Sequence, residues 1–139
     1  MIKDELEKRI LILDGAMGTN IQKLNLSEED YRGDIYKNHS VELKGNNDIL
    51  SITNPDIIRE IHKEFLDAGA DIVEANTFSA NRISQSKYLL EDKIKDINIA
   101  AVRIAREEAN KFSTPEKPRF VVGSIGPTGK TASISPDVE

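Results

Sequence analysis

The segment Asp14-Gly15-Ala16-Met17-Gly18-Thr19 joins a carboxylate to two glycines three residues apart, directly after the apolar run Ile10-Leu11-Ile12-Leu13. Backbone amides that converge around such glycines attract an anion, and the Asp14 carboxylate attracts a cation. Together they suit a zwitterion. The segment therefore predicts an α-amino acid site in which Asp14 takes the ammonium and the amides of Gly15, Ala16 and Met17 take the carboxylate. The same residues would also make a plain strand-to-helix turn, with Asp-Gly as turn chemistry and Thr19 as a cap. Glu74, Asn76 and Thr77 end a later apolar segment with polar groups. They either contact a polar substrate or cap the next segment.

Other patterns carry less chemistry. Gly123-Ser124-Ile125-Gly126-Pro127-Thr128-Gly129-Lys130-Thr131 looks like a phosphate loop, but Ser124 stands where that loop needs its first glycine. Ser133, Ser135 and Pro136 also weaken the helix that should come next, so nucleotide binding is not expected. His39 and His62 have no cysteine or H-E-x-x-H pattern beside them and make a poor metal site. The chain has no cysteine, which excludes disulfides, thiolate metal ligands and a cysteine nucleophile.

Three strands and two long helices must position these groups. Ile10–Leu13 reads as a first strand buried on both faces, preceded by a short charged helix at Asp4–Arg9. Between Asn25 and Thr53 no period holds, and the stretch reads as a long, partly ordered excursion of the kind often found at functional faces. Asn54-Pro55-Asp56 gives an N-cap, a proline at the first helical position and an acid in the first turn. The helix runs to about Ala68, with Ile57, Ile58, Ile61 and Phe65 on its buried face and Gly69 as its stop. Ala70–Ala75 is the second strand. A second amphipathic helix spans about Asp92–Lys111, with Ile94, Ile97, Ala101, Ile104, Ala105 and Phe112 inward, and Pro115 and Pro118 bound it. Arg119–Gly123 is the third strand. This alternation predicts a parallel α/β arrangement with right-handed crossovers. Lys130–Glu139 forms no complete element, so the chain reads as the first part of a larger unit.

Composition narrows the function classes. With 38% hydrophobic residues the chain can bury a core, and its net charge of -5 comes without a basic stripe. Neither nucleic acid nor an anionic membrane finds an electrostatic footprint. No apolar run approaches bilayer length and no signal peptide opens the chain, which predicts a cytoplasmic protein.

Ile10–Thr19, Leu43-Lys44-Gly45-Asn46-Asn47-Asp48, Ala68–Phe78, Gly126-Pro127-Thr128 and Thr131–Asp137, in this order, resemble the homocysteine S-methyltransferase family from about Arg9 to Asp137. The Leu43–Asp48 and Thr131–Asp137 segments are most similar to the homocysteine-binding module of the cobalamin-dependent methionine synthases. The resemblance implies that residues 1–139 are the first three β/α units of an incomplete (β/α)8 TIM barrel, with no second domain. It implies a whole enzyme that moves methyl from methylcobalamin, recharged from methyltetrahydrofolate, to homocysteine to give methionine. Zinc and cobalamin would be its cofactors, and homocysteine and the cobalamin and folate modules its partners.

In the family, three cysteines on later strands hold zinc, which activates the homocysteine thiol. This chain has none, so the resemblance implies neither a bound cofactor nor activity for these residues alone, and assigns no catalytic or metal-ligating residue. Asp14 as an ammonium contact and the Gly15 to Met17 amides as carboxylate donors do carry over. Two other readings stand beside this one. They are a cobalamin-independent homocysteine S-methyltransferase using betaine or S-methylmethionine, and a noncatalytic small α/β ligand-binding domain. For the incomplete barrel, a short parallel sheet with open faces and edges predicts self-association, whereas a compact monomer would point to the small binding domain.

Overall fold

Proline at the first turn and glycine past the last one set the first long helix, Pro55–Asp67, because each sits where its backbone peculiarity costs nothing. The computed structural model describes residues 1–15, 17–128 and 130. In chain order its helices are α1 (Ile2–Leu6), α2 (Met17–Lys23), α3 (Glu28–Arg32), α4 (Leu50–Thr53), α5 (Pro55–Asp67), α6 (Arg82–Ser86) and α7 (Ile94–Phe112). The strands are β1 (Ile72–Glu74) and β2 (Phe120–Val122). Gly69 leaves α5 at φ +104°, a left-handed conformation that glycine takes without strain. Asn54 holds the N-cap position but makes no side-chain capping bond.

α5 packs along α7. Ile58, Ile61, His62 and Leu66 are the buried residues of α5, while Ile57 and Phe65 are only half-buried, so the buried stripe is turned toward His62 and Leu66 from the expected one. On α7, Ala101, Ala105 and Ala109 recur every fourth residue, and their small side chains let the helix lie close over Leu66 of α5 and Val73 of β1. Ile58, Ile61, Ile97 and Ile104 join Ile49, Leu50 and Leu43 in the larger core.

β1 and β2 pair in parallel, with Ile72 opposite Phe120, Val73 opposite Val121 and Glu74 opposite Val122. Both are shorter than the expected Ala70–Ala75 and Arg119–Gly123. The expected first strand is a correction. Ile10–Leu13 supplies one bridge, Leu13 to Ile72, and its side chains are not buried: Ile10 is 85% and Ile12 56% exposed. Asp71 explains what attachment there is. Its carboxylate accepts the Ile12 N–H at 2.9 Å and faces Arg9 Nη1 at 2.9 Å, while the Asp71 N–H donates to the Ile12 carbonyl at 2.8 Å. The Ile72 N–H on the Ile12 carbonyl at 3.0 Å and the Asp14 N–H on the Ile72 carbonyl at 2.9 Å complete the bridge, and among the described residues no strand continues the ladder past it. The three expected β/α units are thus two paired strands and one bridged segment, a mixed α/β fold without a closed barrel among the described residues.

The stretch from 25 to 53 is more ordered than its pattern suggests. Glu28 accepts the N–H groups of Leu43 and Lys44, at 2.8 and 2.6 Å, and Arg32 donates to the carbonyls of His39 and Val41, at 2.7 and 3.0 Å. One helical turn thereby staples an irregular loop and seats Tyr31, Leu43, Ile49 and Leu50 in the core. Gly33 lies at φ +51°, and a Cβ there would meet the Thr53 carbonyl oxygen at 2.9 Å. Among the described residues no helix is long and apolar enough to cross a membrane. The expectations for Ala16, Gly129 and Thr131–Glu139 lie outside the described residues.

Candidate functional site

The carboxyl ends of parallel strands are where α/β folds gather ligand-binding loops. Here the loops leaving β1 and β2 meet the start of α2 and the Gly45–Asp48 turn around a cleft of about 470 Å³. Met17, Asn46, Asp48, Glu74, Ser79 and Lys87 are among its polar and flexible lining groups.

The predicted site residues fall into distinct places. Met17, Glu74, Asn76 and Thr77 line the cleft. Asp14 adjoins it without lining it. Its Oδ1 accepts the Glu74 N–H at 2.9 Å, and its own N–H donates to the Ile72 carbonyl at 2.9 Å. Burial pushes the Asp14 carboxyl up to about 6, the Glu74 amide opposes this, and the Glu74 charge adds to it. Gly15 is exposed and stands outside the lining. Ala16 lies outside the described residues.

Asn76 and Thr77 tie loops together. Asn76 Nδ2 donates to the Asn47 carbonyl at 2.8 Å and to Ser51 Oγ at 3.2 Å. The Thr77 hydroxyl donates to the Ser124 carbonyl at 2.8 Å and accepts the Ser124 N–H at 3.0 Å, bridging the exits of β1 and β2. Capping of the next helix falls instead to Asn81, whose side chain accepts the Ser84 N–H at 2.9 Å. Gly126 donates its N–H to the Phe78 carbonyl at 2.8 Å, and a Cβ on it would lie 2.5 Å from the Phe78 ring. A side chain at this position would have to displace the Phe78 ring, which is 55% exposed.

Sequence reasoning did not assign a role to Asn46, Asp48 or Gln85. Asn46 and Gln85 form a reciprocal amide pair at 2.8 and 2.9 Å, both buried. Asp48, 4% exposed, accepts the Ser79 N–H at 2.9 Å. Burial raises its carboxyl to about 6, with the Ser79 amide and the Lys87 charge pulling the other way. The available signal was polar density set directly against the buried pair Ile49-Leu50. The residues present do not fit a zinc site. There is no cysteine, and among the described residues no group of three or more His, Asp or Glu side chains could hold a metal ion.

A family model described as homocysteine S-methyltransferase matches residues 11–139. The chain belongs to the homocysteine S-methyltransferase family. Its fold is similar to the metallated form of the homocysteine methyltransferase MmuM from Escherichia coli. The TM-score is 0.68 at 22% identity, over 91% of this chain and 41% of that one. The oxidised form of the same enzyme gives 0.68 at 25% identity, over 89% and 40%. The chain therefore spans about two fifths of the length of the solved structures it matches. The family match includes the Asp14 segment, the Asn46–Asp48 turn and both exit loops of the cleft.

Proposed function

We propose that this homocysteine S-methyltransferase chain supplies the amino-acid-binding corner of a cytoplasmic methionine synthase. The whole enzyme transfers methyl from methylcobalamin, recharged from methyltetrahydrofolate, to the sulfur of homocysteine. The observation that carries the reading is the coincidence of the family match over 11–139 with a polar cleft at the carboxyl ends of β1 and β2. Similarity of Leu43–Asp48 and Thr131–Asp137 to the cobalamin-dependent branch supports the methyl donor. Zinc and the cobalamin and folate modules belong to the whole enzyme in this reading.

The role of these residues is to bind and orient. Amides at the start of α2 face the substrate carboxylate. Asp14 and Glu74 provide negative charge for its ammonium, Asp14 acting from behind the Glu74 backbone. A carboxyl held near 6 is mostly ionised at neutral pH, which suits a cationic partner. Without sulfur coordination most of the affinity is missing, so binding to these residues alone is weak. Titrating L-homocysteine into the ¹⁵N-labelled chain tests this. Saturable shifts of the Met17, Gly18 and Glu74 amides in the millimolar range, weakened by Asp14→Ala, are expected. No shift at these amides, or micromolar binding indifferent to Asp14→Ala, would overturn it.

A further inference from the structure

The turn Asn46-Asn47-Asp48 has no role in homocysteine binding as proposed, yet Asn47 and Asp48 bond the loop that leaves β1 directly and Asn46 reaches it through Gln85 of α6. The Asn46 side chain pairs with Gln85, whose Nε2 also donates to the Ser79 carbonyl at 3.2 Å. The Asn47 carbonyl accepts from Asn76 Nδ2 at 2.8 Å, and Asp48 Oδ1 accepts the Ser79 N–H at 2.9 Å. Ser79 is thus held at both its N–H and its carbonyl by buried side chains from two different elements. Asn46, Asp48, Asn76 and Gln85 are all at most 5% exposed.

Buried polar groups are costly unless partnered, and a partnered network in a low dielectric tolerates little displacement. The location of this one decides its meaning. It ends on residues that line the cleft, while Ile49 and Leu50 beside it are seated by apolar packing. The opposite edge of the same loop is held by Thr77 on Ser124 and by the Gly126 N–H on Phe78. The Thr77-Phe78-Ser79 wall is therefore clamped from two sides, once by β2's exit and once by Asn46–Asp48.

We propose that Asn46-Asn47-Asp48 is a positioning element for the amino-acid ligand of the cleft, with Asp48 setting the place of Phe78 and Ser79 by accepting the Ser79 amide. This rests on the homocysteine reading of the cleft. Asp48 borders the cleft, but its carboxylate Oδ1 is committed to the Ser79 N–H, so its part in this proposal is that of an acceptor acting through Ser79. An isosteric residue that keeps the acceptor therefore keeps the function, and one that lacks it does not.

The test compares Asp48→Asn, Asp48→Ala and the near-isosteric Asp48→Leu in the full chain, by amide hydrogen exchange and by titration with L-homocysteine. Leaving the buried Ser79 N–H without its acceptor predicts exchange of the Ser79 amide faster by about tenfold or more, and homocysteine binding weaker by a similar factor. This holds for Ala and Leu, with α7 amides unchanged. Asp48→Asn should stay within about threefold of wild type on both measures. Homocysteine binding that is unaltered in Asp48→Ala and Asp48→Leu overturns the proposal. So does an Asn variant as impaired as Ala, because charge and not acceptance would then matter. A wild-type chain without homocysteine shifts would instead mark failure of the underlying reading, and the positioning role would fall with it.

Discussion

Around α5 and α7 the inward apolar side chains are closed off, with Ile58, Ile97 and Leu50 each at 0% exposure, whereas along residues 10–13 Ile10 is 85% and Ile12 56% exposed. Residue for residue the exposed run is the more apolar of the two, four consecutive aliphatic side chains against helices that alternate apolar and charged positions. The difference is one of supply. Two amphipathic helices bury each other with residues they carry themselves, but a parallel strand needs neighbours on both edges and cover on both faces. β1 has these on the α5/α7 side, and residues 10–13, at the sheet's margin, have a neighbour on one edge.

The sharpest way to break this contrast is to cut the closed side. Ile58→Ala in α5 should cost about 2–5 kcal/mol, because the interior cannot collapse around the missing atoms. Thermal unfolding would show it, and a loss no larger than that of an edge substitution would mean the helical side is not the stable one.

The next effect comes from His62. It is fully buried between the helices, and among the described residues neither ring nitrogen has a hydrogen-bond partner. Burial lowers its pKa from 6.5 to about 4, against the opposing charge of Glu108. Glu108 is already held by Arg59 and Lys111, at 3.2 and 2.6 Å. The unfolded chain therefore takes up this proton first. Stability should be full above pH 6.5 and decline as pH falls through 6.5 toward 4, by on the order of 3 kcal/mol. On the strand side Asp14 has the opposite sign, because its raised pKa makes the folded chain hold the proton more tightly, so its contribution improves as pH falls through 6. Asp48, likewise raised to about 6, acts in the same direction as Asp14, so denaturant unfolding between pH 7 and 4.5 should find stability at the acid end higher in His62→Phe and lower in Asp14→Asn, each relative to wild type. A His62→Phe variant with the wild-type pH slope would refute the assignment.

A smaller effect is expected at Gly33, where the stapled loop meets the helical core. Its positive φ and the nearby Thr53 carbonyl oxygen make Gly33→Ala cost about 1–3 kcal/mol. Unchanged stability would show that this turn relaxes freely.

The smallest effect on stability belongs to the open side. Ile12→Ser, which leaves the backbone bonds to Asp71 and Ile72 intact, should change stability by no more than about 0.5 kcal/mol. Its consequence should appear in assembly. Exposed apolar surface and an unpaired edge favour contact between copies, so light scattering at micromolar concentration should show wild-type self-association reduced in Ile12→Ser. A strictly monomeric wild-type chain would remove the contrast at its root.

The elements that could be read along the chain are those whose signals are local. α5 and α7 follow from helical spacing and from the Pro55 and Gly69 boundaries, and β1 and β2 from short apolar runs between turn residues. The stretch from 25 to 53 could not be read this way, since its order comes from Glu28 and Arg32 reaching backbone groups many residues on. At the cleft, Met17 was legible from the glycine-flanked turn after the first apolar run, and Glu74, Asn76 and Thr77 as the polar end of the second. Asn46, Asp48 and Gln85 were not, because a buried amide pair has no periodic signature.

What the residues determined unaided is therefore the family, carried by ordered motifs, and the existence of the two helices, whose apolar spacing and proline or glycine boundaries lie within or beside their own turns. Tertiary structure alone decided the fate of Ile10–Leu13 and of the Asp14 carboxylate. The run forms one bridge because its only described strand neighbour comes from residue 72, and Asp14 turns to the Glu74 amide because β1 brings that donor within 2.9 Å. Burial and hydrogen-bond partners are properties of the surroundings, and those surroundings come from residues some sixty positions away.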